Sequence, residues 1–390
     1  MTRPVNPPTK YPYFYLPDGW DSAWKAAKAS APTTPCWITM FGDSIFNGHA
    51  NASSYLKTVP ELLIAQILAA TGSPRYADYW STVCGPPYLG PADHPWGAMQ
   101  NGASPSHWEA GFHKAQYTSY VAGGIFQRFT APYACTAMDI IYVDWQAGVS
   151  GWSYSIDGGA AVLISNTGGG TPATTTVKKI SISGLANTTH TIDFLQTSSA
   201  TAMILGVSTY AGTKGIGMAR MNCDGAASTE MTAATNYPAD RCRLHMGVVP
   251  QSDAGTGKTF GFPHGPSLLI LGLLANNATA GEPGTDLEQM YNRLISAVRS
   301  LSPNCSVLLH IPSYPYSVTS DCSTTYLNQE AVRIYENEIY NVARYHGCAV
   351  LNTNWRWGQT PFGSGFLPNT DLHPKDAGHA DMAATMATVL

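Results

Sequence analysis

Charge is scarce in this sequence. Only 12% of its 390 residues are Asp, Glu, Lys or Arg, about half the share usual in globular domains. The formal net charge is −4 and no basic stripe is present, which excludes the electrostatic footprint of a nucleic-acid binder. Long apolar runs are missing too. None approaches the ~18 residues of a membrane-spanning helix, so no span is expected. Met1 to Pro17 is rich in Pro and Tyr and lacks an apolar core segment, so neither a signal peptide nor an anchor is expected there. Cys-x-x-Cys pairs are absent. The eight cysteines, at 36, 84, 135, 223, 242, 305, 322 and 348, are widely spaced, which argues against a zinc site. Their even number permits disulfides without requiring them. Cys305 and Cys348 each precede an apolar run and are the pair to examine, either as a bridge or as two buried free thiols.

Apolar material, by contrast, is ample. At 44% of the chain it suffices for the cores of two or three domains. The 37 Gly and 27 Pro mark many turns, but apolar runs lie between them, so bulk disorder is not expected.

Along the chain, Trp37 to Phe41 is a short apolar run ending at Gly42 and reads as a buried strand. Thr58-Val59-Pro60-Glu61 has the form of a capping box, opening a helix with Leu62, Leu63, Ile64, Ile67 and Leu68 buried and Gly72 as its stop. Ser267 to Gly272 is a strand, and Thr285 to Glu288 a second capping box. The helix after it carries Leu287, Met290, Tyr291, Leu294 and Val298 at three-four spacing. A strand over Ser306 to Ile311, a helix over Leu327 to His346 and a strand over Ala349 to Leu351 complete the series. This alternation points to an α/β fold whose parallel sheet is covered on both faces.

The middle reads differently. From about Phe126 to Tyr210 there is no helical period, and short strands follow one another: Met138 to Trp145, Trp152 to Ile156, Val162 to Ile164, Val177 to Ile182, His190 to Phe194 and Met203 to Val207. Asp157-Gly158 is a hairpin signal. The expected organisation is an N-terminal extension over 1–34, an α/β domain over 35–125 and 213–390, and a β-sandwich inserted over 126–212. Trp145, Trp152 and Tyr154 in that sandwich are either sugar-stacking rings or core.

Two segments carry chemistry. The strand ending at Phe41 runs into Gly42-Asp43-Ser44, and catalytic groups in open α/β sheets gather at the carboxyl ends of strands. The plain alternative is a turn in which Ser44 caps the following helix. Near the C-terminus stands Asp371-Leu372-His373-Pro374, a His with a carboxylate two residues before it and a Pro behind it. A Ser hydroxyl is a weak nucleophile that needs such a base, and the base needs a partner to hold its tautomer. Asp253 to Thr259 ends like a phosphate-binding loop, but Ser252 stands where that motif requires Gly, so a Gly-rich loop is the reading kept.

Gly-Asp-Ser after the first strand and Asp-x-His-Pro near the end together resemble the SGNH/GDSL hydrolases. The resemblance covers the α/β parts, about three quarters of the chain, and implies a flavodoxin-like α/β/α sandwich with no metal or cofactor. It also implies a serine esterase with Ser44 as nucleophile and His373 as general base. Carried onto this sequence, Gly225 is the second-block glycine and Asn276 the third-block asparagine, which with the Ser44 N–H would form the oxyanion hole. Two departures stand out: Leu274 and Asn277 replace the Gly and Asp around Asn276, and Thr370 occupies the position of the family's Asp. Asp371 therefore orients His373 only if the loop takes another path than a helical turn; otherwise the pair is a Ser-His dyad. The sandwich arrangement resembles bacteriophage tail-associated esterases, implying an extracellular or virion-associated setting. The expected partner is an acylated polysaccharide or glycolipid, with virion or cell-surface assembly. A lipase-like enzyme for longer acyl chains, or a non-catalytic adhesin with a decayed site, is the alternative.

Overall fold

The computed structural model describes residues 13–48, 51–81, 93–97, 124–144, 151–168, 176–197, 202–222, 249–250, 259–260, 265–275, 283–313, 329–358, 365–367 and 372–390. The chain opens with β1 (Phe14–Tyr15), α1 (Ser22–Ser30), β2 (Pro35–Gly42), α2 (Ser44–Asn47), α3 (Val59–Thr71) and β3 (Arg75–Ser81). A run of strands follows: β4 (Ile125–Thr130), β5 (Cys135–Asp144), β6 (Trp152–Ile156), β7 (Val162–Ile164), β8 (Thr176–Thr188), β9 (Thr191–Gln196) and β10 (Met203–Tyr210). After β11 (Gly215–Arg220), β12 (Val249–Pro250) and β13 (Thr259–Phe260), alternation resumes. It runs through β14 (Leu268–Gly272), α4 (Gly284–Leu301), β15 (Ser306–Ile311), α5 (Gln329–His346), β16 (Ala349–Asn352), α6 (Thr353–Trp357) and α7 (Asp376–Ala387).

The main sheet has the order β1-β16-β15-β14-β2-β11-β3-β10-β5-β8. From β16 to β3 its strands are parallel; β2 and β14 are largely apolar on both faces because both are covered, whereas β3 and β11 also carry Arg75, Asp78 and Arg220. In β2, Trp37 and Phe41 face one layer while Ile38 and Met40 face the other, the two-residue period of a strand. The first layer is α4 and α5, whose Leu287, Met290, Tyr291, Leu294, Val298, Ile339 and Ala343 are buried. The second is α1, α3 and α7, contributing Trp24, Leu63, Ile64, Ile67, Met382 and Met386. Each of the Leu, Ile, Val and Met side chains among these contributes roughly 1.5–3 kcal/mol by leaving water. This is the expected α/β/α sandwich.

The strands of 126–212 form two facing layers. β4, β9, β6 and β7 make an antiparallel sheet of their own, in that order. β10, β5 and β8 instead extend the main sheet, because β10 pairs antiparallel with β3 from Gly206 opposite Ser81 to Tyr210 opposite Ala77. Between the two sheets lies one core of Trp96, Phe126, Phe129, Met138, Ile140, Trp152, Phe194 and Val207, which also takes in Tyr55 and Trp80 from the α/β part. The Asp157-Gly158 signal is realised as the β6–β7 hairpin, with φ of 52° and 71° at the two residues. Trp152 and Tyr154 are core residues, 1% and 8% exposed, so they present no face to a sugar ring; Trp145 lies outside the described residues.

Neither expected capping box forms. Thr58 precedes α3, but its hydroxyl donates to the Tyr55 carbonyl at 2.8 Å. Glu61 turns away from the helix end into a buried ion network. Its carboxylate meets the guanidinium of Arg220 and, at 3.0 Å, that of Arg75, and takes the Tyr55 hydroxyl at 2.5 Å and the Tyr133 hydroxyl. Asp78 completes the set, at 2.8 Å from Arg75 and 2.7 Å from Arg220. Glu61, Asp78 and Arg220 are each 3% exposed or less. Two charge-assisted contacts to a buried carboxylate outweigh the single backbone N–H of Thr58, which donates to the Tyr55 carbonyl instead. α4 likewise starts at Gly284 behind Pro283 with no side-chain cap. Cys305 and Cys348 are buried free thiols, not a bridge, and burial pushes both up to about 12. No helix among the described residues is long and apolar enough to cross a membrane.

Candidate active site

β2 delivers the chain to the carboxyl edge of the sheet between β11 and β14, where the strand order runs outward in both directions. Asp43 makes the turn. It is extended, and its carboxylate accepts the Ile45 N–H at 2.9 Å, so Asp43 caps α2 and Ser44 is the first helical residue. The alternative in which Ser44 is the cap is thereby excluded. α2 ends after one turn at Gly48, whose φ of 76° is the left-handed conformation glycine tolerates.

Phe46 pins this turn from below. Gly42 and Gly272 are register partners on β2 and β14, and a Cβ on either would collide with the Phe46 ring. The two glycines are therefore a notch into which the ring drops. His310 of β15 packs against the ring with centroids 5.0 Å apart. Burial lowers His310 to about 3, so it is neutral at physiological pH, and its Nε2 shares a 2.6 Å hydrogen bond with the Thr353 hydroxyl.

The Ser44 hydroxyl points to the C-terminal motif. Ser44 Oγ lies 2.7 Å from His373 Nε2, and donates to it in the tautomer that leaves Nε2 unprotonated. Ser44 is 5% exposed, so it sits in a recess. Chain segments 329 residues apart thus meet at hydrogen-bond distance, the geometry a general base needs toward the proton it removes. Gly225, Asn276 and Asp371 lie outside the described residues. Among the described residues no group of three or more His, Cys, Asp or Glu is placed to hold a metal ion.

Further residues at the site carry no motif. The Asn51 amide donates to the His373 carbonyl at 3.0 Å. Asp376, in the first turn of α7, accepts the Ser53 N–H at 2.8 Å, the Ser53 hydroxyl at 2.6 Å and the Lys57 ammonium at 2.8 Å. Burial disfavours the Asp376 anion, but Lys57 and the Ser53 donors outweigh it and hold the carboxyl down at about 2. A depressed folded value stabilises the fold above the unfolded value of about 3.9 and loses that contribution as pH falls through the folded one. Asp376→Asn is therefore expected to lower Tm near neutrality. The gap to the parent protein should shrink below about pH 4 and close near pH 2, as melting curves against pH would show. A gap constant across that range would refute the assignment. His379, three residues further on, is fully buried, and burial brings it down to about 4, so it remains neutral within the helix layer.

Comparison with known proteins gives a family match over part of the chain. Residues 230–380 match the GDSL-like lipase/acylhydrolase family; this span includes the Asn276 and His373 blocks and begins after Ser44. No curated protein matches the chain in sequence. Among solved structures it is similar to one titled "Peptidoglycan O-acetylesterase in action, 5 min", with a TM-score of 0.60 and 15% identity, over 95% of this chain and 94% of that one. That likeness is one of fold. A family two carbohydrate esterase from Clostridium thermocellum in complex with cellohexaose aligns over 70% of this chain and 93% of its own, at 13% identity and a TM-score of 0.32. A carbohydrate esterase family 2 enzyme from Corynascus thermopiles covers 80% and 98%, at 13% and 0.31. Scores that low carry no structural argument. Residues 230–380 are thus similar to the GDSL-like lipase/acylhydrolase family, and the α/β/α fold is shared with a solved peptidoglycan O-acetylesterase.

Proposed function

We propose that the chain removes O-acyl groups, acetyl foremost, from a cell-surface polysaccharide by a serine mechanism. The observation that carries the mechanism is the 2.7 Å contact between Ser44 Oγ and His373 Nε2. Ser44 Oγ attacks the ester carbonyl carbon while its proton passes to His373 Nε2. The tetrahedral oxyanion is met by the Ser44 and Gly225 N–H groups and the Asn276 amide, donors that act mainly on transition-state charge. The carbon–oxygen bond to the sugar then breaks, and His373 gives its proton to the departing alkoxide. Water, deprotonated by His373, attacks the acyl-enzyme; the acid leaves and the proton returns to Ser44. Asp371 holds the imidazole tautomer, or a backbone carbonyl does so in its place.

The substrate class is supported by the solved peptidoglycan O-acetylesterase whose fold spans nearly the whole chain. An extracellular or virion-associated setting, with assembly on a virion or cell surface, fits such a substrate. The test is acetate release from an O-acetylated polysaccharide, O-acetylated peptidoglycan first, beside hydrolysis of 4-nitrophenyl esters of rising chain length. Acetate release with a preference for acetyl over octanoyl esters is expected. Preference for octanoyl would favour the lipase-like reading, and no Ser44-dependent turnover of any ester would favour the adhesin.

A further inference from the structure

The segment between the nucleophile and α3 does more than connect them. Starting from Ser44, its carbonyl accepts the Gly48 N–H that closes α2. The Gly48 carbonyl accepts the Ala52 N–H at 3.3 Å. Beside Ala52, the Asn51 amide donates to the His373 carbonyl at 3.0 Å, and the His373 ring returns to the Ser44 hydroxyl at 2.7 Å. These bonds form a closed circuit in which nucleophile and base are held both by their own side chains and by a backbone path. Asn51 is the link by which that path reaches His373.

The same segment is anchored on both sides. Ser53 and Lys57 grip Asp376, three residues past His373. On the other side, Asp93 accepts the Ser54 hydroxyl at 2.6 Å and the Tyr55 N–H at 2.7 Å. Tyr55 continues through its hydroxyl to Glu61 and the buried ion network. A segment held at Asp93 and Asp376 gives Asn51 a firm base from which to hold a loop.

We propose that Asn51 is a positioning residue for the general base. It fixes the His373 backbone so that Nε2 stays within reach of Ser44 Oγ through the reaction. This rests on the reading of Ser44 and His373 as nucleophile and base. Asn51 acts through another residue, so its removal changes the efficiency of proton transfer and leaves ester binding alone. Misplacement of a catalytic group by an ångström can cost on the order of 100-fold.

The test compares Asn51→Ala and the isosteric Asn51→Asp with the parent protein, beside Ser44→Ala and His373→Ala. The readouts are kcat and KM on a short-chain 4-nitrophenyl ester, the rate of Ser44 labelling by a fluorophosphonate, and Tm. Both Asn51 variants are expected to lose about 10-fold or more in kcat, with KM within about twofold and labelling slowed in step. The Asp variant keeps the side-chain volume and, ionised, has no proton to donate. It therefore separates hydrogen bonding from packing should the Ala variant melt early. Parental kcat and labelling in Asn51→Asp, with His373→Ala inactive, would overturn the role of Asn51 and leave the mechanism standing. An active His373→Ala would overturn both.

Discussion

Ser44→Ala is expected to cut ester turnover by roughly 10⁴- to 10⁶-fold while leaving the protein folded. The size follows from the cooperative action of nucleophile and base: with the hydroxyl gone, His373 has no proton to remove, and only binding and oxyanion stabilisation persist. The retention of fold follows from the local geometry. The cap of α2 is the Asp43 carboxylate and the ring in the glycine notch is Phe46, so the Ser44 hydroxyl supports neither. Steady-state rates on a short-chain ester, with thermal melting as control, check both halves. Activity within tenfold of the parent protein would rule out Ser44 as nucleophile.

Glu61→Ala is expected to be the most destabilising single change, at about 3–5 kcal/mol, since it strands buried cations. Burial brings Arg220 down only to about 10, so its guanidinium is still charged at neutral pH. Without Glu61, two arginines share Asp78 in a region where Arg220 is 2% exposed and lies 3.8 Å from the centroid of the Trp80 ring. Set against a typical total stability of about 5–15 kcal/mol, such a loss is large. Urea unfolding would show a lowered midpoint at unchanged slope. Glu61→Gln should cost less, since it retains a carbonyl for the tyrosine hydroxyls. A loss under about 1 kcal/mol for Glu61→Ala would mean that water reaches the arginines.

The readable parts of the sequence were those whose physics is local. β2, β14 and β15 are apolar on both faces, and α4 shows its buried face at three-four spacing, so the α/β/α layers could be derived from periodicity alone. Ser44 and His373 stood out because each lies in a compact motif. Glu61 shows the opposite case: its local pattern fits a capping box, but its partner Arg220 is 159 residues away, and no window along the chain contains both. Asn51 is one amide among small and polar neighbours, with nothing to mark the carbonyl it holds. The strands of 126–212 could be found but not paired. Alternation says which face of a strand is buried, and it is silent on whether β10 lies beside β3 or within a separate body.

That pairing bears on how the molecule comes apart. A lobe joined only by linkers can open or melt alone, as an independent cooperative unit. Here, peeling β10 from β3 would break a ladder running from Gly206 to Tyr210 and would uncover Trp80, Tyr55 and the aromatic core they share with Phe126 and Trp152. Local opening on one side therefore withdraws support from the other, and from Tyr55 the loss passes to the segment holding His373. The strands of 126–212 and the α/β core are therefore expected to unfold as one cooperative unit, with heat or denaturant removing the Ser44–His373 contact and the β-rich half in the same step.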